Sequence, residues 1–321
     1  MKKIAVLADY LEPSHHALID STAARCGFAV DYYPDGRVPA ELAGTYEVVH
    51  GMPKPGDLKT FTGMKWFCGS FAGVDAYLND ALYPSPEVML SNSSGAYGVT
   101  IAEHLIMVTL MLLRHADTYL HHADAHRWGP VMPMRSIIGS TITVLGTGDI
   151  GTEFARRAKA MGAKEIRGVR RTKKAADPAF DGVYTHAELD SLLPDTDILV
   201  MALPSTADTV GILSRDRIAL LPETAYVVNV GRGTAIDQPA LVEALNAGKL
   251  AGAALDVFEK EPIPAGDPVW DAKNLLITPH ISGQMSLGYT RDKNVALFCE
   301  DLENYAAGRP LKRYVDRKIG Y

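Results

Sequence analysis

Three short segments of this 321-residue chain carry side chains able to move a proton beside a bound anion. Asn229-Val230-Gly231-Arg232-Gly233 sets a guanidinium between glycines, where a strand is expected to end. Leu255-Asp256-Val257-Phe258-Glu259-Lys260-Glu261-Pro262 carries carboxylates just past a second strand, and Thr278-Pro279-His280-Ile281-Ser282-Gly283 an imidazole just past a third. Reducing a keto acid needs a proton for the new alkoxide, a cation for the carboxylate and a group that tunes the acid. His280, Arg232 and Glu261 meet that list. Each has a plainer reading when taken singly: an Arg bracing a loop, a His satisfied in the core, a Glu in a surface turn before proline.

A fourth segment points to a dinucleotide. Gly146-Thr147-Gly148-Asp149-Ile150-Gly151 follows an apolar strand pattern and opens a helical one. In that context the glycines permit a tight turn, close approach of a diphosphate and close helix–sheet packing. The helix N-terminus adds N–H groups and the positive end of its dipole. About 20 residues on, an NAD site usually offers Asp or Glu to the ribose hydroxyls. This chain instead reads Val169-Arg170-Arg171-Thr172, with Lys173 and Lys174 behind. Guanidinium groups pair bidentately with phosphate, so the expected cofactor is NADP, with NAD as the second choice. The plainer reading is a solvated basic loop.

The elements that must position these groups form two β/α series. The first has strands expected at Ile4–Ala8, Phe28–Tyr32, Glu47–His50 and Lys65–Cys68. The second has them at Thr141–Leu145, Glu165–Val169, Ile198–Ala202, Tyr226–Val230, Gly252–Asp256 and Leu275–Thr278. A helix over Thr152–Met161 puts Phe154, Ala155, Ala158 and Met161 on one face and stops at Gly162. Another is capped by Asp237, carries Pro239 in its first turn and stops at Gly248. Strand–helix alternation implies parallel sheets with right-handed crossovers. The expected fold is therefore α/β, with two Rossmann-like doubly wound parallel-sheet domains. The apolar stretch Leu105–Leu113 reads as a helix buried between domains or subunits. The pattern Asn294–Tyr305 reads as a helix that returns to the first domain.

Bulk properties exclude some partners. A formal net charge of −6 argues against nucleic acid or an anionic membrane as the main partner. No apolar stretch reaches the ~20 residues of a membrane span. Three cysteines without CxxC spacing read as reduced thiols of a cytoplasmic protein. His115, His121, His122, Asp124 and His126 cluster before Trp128, but their spacing fits no zinc pattern and no metal is expected.

With these residues in view, the chain resembles the D-isomer-specific 2-hydroxyacid dehydrogenases. The four segments above look like that family's motifs, in its order. Ser70-Phe71-Ala72-Gly73-Val74-Asp75 resembles its substrate loop, Ala102-Glu103-His104 the start of its interdomain helix, and Val315-Asp316 with Gly320-Tyr321 a common ending. The resemblance implies that Arg232, Glu261 and His280 form the catalytic trio. It also implies that backbone N–H groups around Ala72, Gly73 and Val74, with Arg232, hold a substrate carboxylate. The cofactor would meet Gly146, Gly148, Asp149, Ile150 and Gly151 at its phosphates. Arg170, Arg171 and Thr172 would face the ribose, and Leu203, Pro204 and Thr209 the adenosine side. Ile101 and Asp256 would lie near the nicotinamide, and Val230, His280 and Gly283 would also contact the cofactor. The implied architecture is a substrate domain of residues 1–98 plus 287–321, into which a dinucleotide-binding domain, 99–286, is inserted. The implied assembly is a homodimer packed through the interdomain helix.

The missing ribose carboxylate departs from the family's NAD pattern and looks most like the glyoxylate/hydroxypyruvate reductase branch. No long C-terminal regulatory domain is seen, which counts against the long forms of phosphoglycerate dehydrogenase. The expected activity is transfer of a hydride from NADPH to a small 2-keto acid, giving the D-2-hydroxy acid. Substrate choice is expected to rest on the loop His50-Gly51-Met52-Pro53-Lys54 and on Met285 and Tyr289, ranking glyoxylate, hydroxypyruvate and modest apolar keto acids above phosphorylated ones. The alternative is a non-catalytic dinucleotide sensor that binds protein partners, as corepressor relatives do. Formate dehydrogenase is disfavoured, because that branch lacks the partner found here as Glu261.

Overall fold

The computed structural model describes residues 1–173 and 177–321. The chain runs β1 (Lys2–Leu7), α1 (Pro13–Arg25), β2 (Phe28–Tyr32), α2 (Ala40–Ala43), β3 (Val48–Gly51), β4 (Trp66–Gly69) and β5 (Met89–Ser91). It continues with α3 (Gly98–Leu113), α4 (Ala116–Asp124), β6 (Thr141–Leu145), α5 (Asp149–Ala160), β7 (Glu165–Arg170), β8 (Gly182–Thr185), α6 (Leu189–Leu192) and β9 (Ile198–Met201). Then follow α7 (Arg215–Leu220), β10 (Tyr226–Asn229), α8 (Gln238–Asn246), β11 (Gly252–Leu255), β12 (Leu275–Ile277) and α9 (Gly288–Ala306).

These elements form two compact units, Met1–Tyr97 with Gln284–Tyr321, and Gly98–Gly283, the second inserted in the sequence of the first. The first unit is built on a five-stranded sheet ordered β2-β1-β3-β4-β5, and every pairing is parallel. Parallel sheets are covered on both faces, so their strands read as unbroken apolar runs. β1 illustrates this. Ile4 and Val6 pack with Ile19 of α1 and Val295 and Phe298 of α9, while Ala5 and Leu7 pack with Leu58, Phe61 and Val74 on the opposite face.

The second unit carries seven parallel strands ordered β12-β11-β10-β9-β6-β7-β8. One face buries Leu145, Leu199, Val227 and Leu255 against Ile218 of α7 and Leu241 and Leu245 of α8. α3 and α5 pack against each other, and both touch the sheet. The expected helix between domains or subunits is thus largely core of this unit, with Leu105, Val108 and Leu112 buried and Met107 exposed. Among the described residues no single helix is long and apolar enough to cross a membrane.

Local chemistry accounts for the boundaries. Asp237 caps α8, accepting from Ala240 N at 3.0 Å, and Gly248 takes φ 68 after its end. α5 begins at Asp149 rather than Thr152, because its first turn lies within the glycine fingerprint, with Gly148 as N-cap. β5 and β8 are strands the sequence pattern does not announce. Both are short edge strands, where a long apolar run is not required.

Candidate active site

In the second unit, the strand order sets the order of the candidate groups along one sheet edge. Ligands of open α/β sheets sit outside the carboxyl ends of strands, where the order reverses. Here that point lies between β6 and β9. From β12 towards β7, the strand ends lead to His280, then Asp256 and Glu261, then Arg232, then Leu203 and Pro204, then the Gly146–Gly151 turn, and finally Arg170–Thr172. Four strand spacings of about 4.8 Å separate β11 from β7, roughly 19 Å in all. The imidazole and carboxylate groups therefore lie far from the basic groups along this sheet edge, with the glycine turn between.

The imidazole is held from two directions. His280 Nδ1 lies 2.6 Å from Glu261 Oε2, and Glu261 Oε1 accepts from Phe258 N at 2.8 Å. With Nδ1 directed at the carboxylate, Nε2 is the ring nitrogen that would exchange a proton with a ligand. Beneath it, His280 adopts φ 53, in the left-handed region that side chains rarely enter. Asp256 over-determines that turn. Its carboxylate is buried, and Oδ1 accepts from Thr278 Oγ1 at 2.6 Å and Ile281 N at 3.0 Å. Oδ2 accepts from Ser282 N at 3.0 Å, and the Asp256 carbonyl accepts from His280 N at 2.9 Å. Thr278 Oγ1, having donated to Asp256, faces His104 Nε2 at 3.3 Å as an acceptor. Burial lowers the His104 pKa, with the Asp256 charge opposing. Asp256, expected from the resemblance near the nicotinamide, builds the turn that carries His280. Thr278 and His104 stand in segments quoted from the sequence but received no role there, because polar residues behind a loop leave no spacing signal.

Arg232 is set by its own turn. Asn229, buried at the end of β10, accepts from Gly231 N at 2.9 Å and donates through Nδ2 to the Arg232 carbonyl at 2.9 Å. The guanidinium donates to the Gly231 carbonyl at 2.7 Å. Both flanking glycines are required by backbone contact. A Cβ at Gly231 would lie 2.6 Å from the Leu203 carbonyl oxygen, and one at Gly233 would lie 1.9 Å from the Phe258 carbonyl carbon. The Arg232 loop therefore rests directly on the main chain of the Glu261 loop. Val230 lies buried at the start of this turn.

The fingerprint turn fits a dinucleotide diphosphate. Gly146 takes φ 102, and a Cβ there would lie 2.6 Å from the Ala202 carbonyl oxygen. A Cβ on Gly151 would meet the Gly146 carbonyl oxygen at 1.9 Å, whereas Gly148 faces open space. The turn is thus closed behind and open in front, where phosphates would approach the first N–H groups of α5. Asp149 is the first residue of that helix, but its carboxylate turns back: a Cβ on Gly98 would lie 2.4 Å from Asp149 Oδ1. Arg170 ends β7, and Arg171 and Thr172 follow as exposed residues; Lys174 lies outside the described residues. Burial lowers the His186 pKa, Asp208 opposes, and the nearby Arg217 and Arg171 guanidiniums lower it further. Thr209 is buried and stitches its own loop, accepting from Thr206 N at 2.8 Å and donating to the Pro204 carbonyl at 2.7 Å. Ile150 and Gly283 are half-buried, and Ile101 is a buried residue of α3. Among the described residues, no group of three or more His, Cys, Asp or Glu converges as a metal site would require.

In the first unit, the Ser70–Asp75 loop leaves the end of β4. Gly73 is exposed, Ala72 half-buried, and the Val74 side chain is anchored in the core beside Phe61 and Tyr83. Gly51 ends the adjacent strand β3 at φ 128, with no room for a Cβ beside the Leu7 carbonyl. Met52, Lys54 and Tyr289 are exposed, and Met285 is half-buried.

A phosphate-ready turn, a cation and an imidazole–carboxylate pair along the strand ends of one sheet are what an NAD(P)-dependent dehydrogenase requires. Residues 106–282 match the family model for the D-isomer specific 2-hydroxyacid dehydrogenase NAD binding domain. Glyoxylate/hydroxypyruvate reductase A of Klebsiella pneumoniae (strain 342) is 32% identical over 257 residues, 78% of this chain and 80% of that protein. Two crystal structures are close in fold. A D-isomer specific 2-hydroxyacid dehydrogenase from Xanthobacter autotrophicus Py2, in complex with NADPH and MES, has TM-score 0.82 and 28% identity, covering 100% of this chain and 99% of that one. The NADPH-dependent glyoxylate/hydroxypyruvate reductase of Sinorhizobium meliloti, in complex with NADP and sulfate, has TM-score 0.83 and 27% identity, with full coverage of both chains. The chain belongs to the D-isomer-specific 2-hydroxyacid dehydrogenase family.

Proposed function

We propose that this enzyme reduces a small 2-keto acid, glyoxylate or hydroxypyruvate first among them, to the D-2-hydroxy acid at the expense of NADPH. The observation that carries the reading is the His280–Glu261 pair, at 2.6 Å, on the strand end next to Arg232. When bound, the cofactor supplies the hydride that reaches the keto carbon. Arg232 and the N–H groups of the Ala72–Val74 loop hold the substrate carboxylate. His280, fixed through Nδ1 to Glu261, gives its Nε2 proton to the carbonyl oxygen as negative charge develops there. On this reading the second unit is the dinucleotide-binding domain and the first the substrate domain. Arg170, Arg171 and Thr172 meet the 2′-phosphate, which is why NADPH is preferred. Three unpaired cysteines fit a reducing cytoplasm.

The test is a panel of 2-keto acids assayed with NADPH, with chiral analysis of the product. Absence of turnover on every member, alongside tight NADPH binding, would refute the reading and favour a partner-binding sensor.

The same enzyme is proposed to be a homodimer. From α3 to β6 the chain exposes Met107, Leu120, Trp128, Met132, Met134 and Ile138, large apolar side chains of the kind a partner surface covers. Sedimentation of a monomer at micromolar concentration would refute it.

A further inference from the structure

The four carbonyls at the start of the substrate loop are all taken by one short segment of the first unit. Ser93 Oγ donates to the Gly69 carbonyl at 2.9 Å, and Ser93 N to the Phe71 carbonyl at 2.9 Å. Tyr97 Oη donates to the Ser70 carbonyl at 2.5 Å, and Asn92 Nδ2 to the Ala72 carbonyl at 2.7 Å. A trans peptide is planar, with its C=O and N–H pointing in opposite directions. Pinning the carbonyls of Ser70, Phe71 and Ala72 therefore fixes the N–H groups of Phe71, Ala72 and Gly73, each aimed away from its donor. Successive oriented N–H groups are the means by which a loop binds an anion without a charged side chain. From these contacts we infer that Asn92, Ser93 and Tyr97 are positioning residues, which turn the backbone of the substrate loop so that its N–H groups receive the carboxylate of the keto acid.

The donors are themselves oriented. Asn92 Oδ1 accepts from Ser94 N at 3.2 Å, which settles which end of the amide faces Ala72. Ser93 Oγ accepts from Asn294 Nδ2 at 2.6 Å, and Asn294 Oδ1 accepts from Tyr10 Oη at 2.6 Å. The proton directions close from Tyr10 to the Gly69 carbonyl, so one misplaced donor would turn the whole set. Burial pushes the phenols of Tyr97 and Tyr10 well above their ordinary range, so both remain protonated donors. Satisfying buried carbonyls is a general need, and any buried donor would meet it. Taking a run of consecutive carbonyls from one segment does more, because it leaves the loop no alternative peptide orientation.

This inference rests on the reading that the loop holds the carboxylate, and the experiment separates the two. Tyr97→Phe removes one oxygen, and Asn92→Ala removes one amide. Each is expected to raise KM for the keto acid about three- to tenfold, the range of a single net hydrogen bond. The same variants should change kcat less than KM and leave the NADPH dissociation constant unchanged. The preference for the keto acid over its neutral amide should fall by the same factor, a readout that general loosening of the fold would not move. If Asn92→Ala melts below the assay temperature, the near-isosteric Tyr97→Phe decides. Gly73→Pro, which removes one N–H, tests the underlying reading. An unchanged keto-acid KM there overturns the carboxylate assignment. A raised KM there, with unchanged KM and acid-to-amide preference in Tyr97→Phe and Asn92→Ala, overturns only the positioning role.

Discussion

Asp256→Asn is the substitution whose effect the structure predicts most closely. The wild-type carboxylate receives three donors, from Thr278 Oγ1, Ile281 N and Ser282 N, and a fourth bond joins the Asp256 carbonyl to His280 N. An amide has one acceptor oxygen. Whichever way it is turned, its NH2 group faces a backbone N–H or the Thr278 hydroxyl. Losing one charge-assisted bond removes about 1.5–3 kcal/mol, and the remaining bonds become neutral and weaker. Working in the same direction as this loss, the left-handed conformation of His280 is itself unfavourable by about 1–2 kcal/mol. The turn then no longer holds His280 at its observed φ in most molecules. At 1.4 kcal/mol per factor of ten, kcat for reduction should fall about tenfold to a few hundredfold. The assay is steady-state reduction by the wild type, Asp256→Asn, His280→Gln and the double variant, with NADPH affinity followed by fluorescence. If Asp256 acts by aiming His280, the double variant should turn over no more slowly than His280→Gln alone. A kcat within twofold of wild type, or a double variant far below His280→Gln, would refute the reasoning.

Other outcomes can be stated more briefly. His280→Gln should lower kcat by two or more orders of magnitude and leave NADPH affinity near normal; near-normal turnover would remove His280 from the proton-donor role. Arg170→Ala and Arg171→Ala should each raise KM for NADPH much more than KM for NADH. Added salt should erode the wild-type preference, as exposed ion pairs are screened, and a wild-type kcat/KM ratio favouring NADH would refute the 2′-phosphate assignment. His50, wholly buried and stacked on Phe298 at 4.0 Å, is pushed by burial from 6.5 to about 4, so it stays neutral in the fold but charges in the unfolded chain below pH 6.5. Its contribution is complete above that pH and is lost progressively as pH falls towards 4, about 2 kcal/mol by pH 5. His50→Phe should be slightly less stable at pH 7 yet lose less between pH 7 and 5. Urea denaturation at the two pH values checks this, and an identical pH dependence would refute it.

What the sequence disclosed followed the physics of each element. Strands buried on both faces announce themselves as apolar runs, so β1, β6, β9 and β10 could be placed to within a residue or two. β5 and β8 could not, because the half-buried Gly182–Thr185 and the three residues Met89–Ser91 carry too little pattern. The start of α5 was placed late because helical periodicity begins to show only after the glycines. In the site, residues with distinctive chemistry beside strand ends were visible: Arg232, Glu261, His280 and the fingerprint glycines. The residues that aim them were not. Asn92, Tyr97, Asn229 and Thr278 act through hydrogen bonds to loop backbone or, for Thr278, to the Asp256 carboxylate, and neither composition nor spacing marks such a partner. The left-handed φ of His280 is likewise a product of the Asp256 web rather than of the His codon's neighbours.

The seam where Gly233 lies on the Phe258 main chain bears on how such an enzyme diversifies. There the spacing of the Arg232 loop from the Glu261 loop is gauged by backbone meeting backbone, with no side chain at that contact to be resized. Exchanging Leu, Val or Phe in the surrounding core leaves that gauge unaltered, so drift can proceed there without recalibrating the chemistry. New substrates would then be won by varying exposed positions such as Met52 and Tyr289, and laboratory libraries built for altered scope should randomise those while leaving both glycines beside Arg232 fixed.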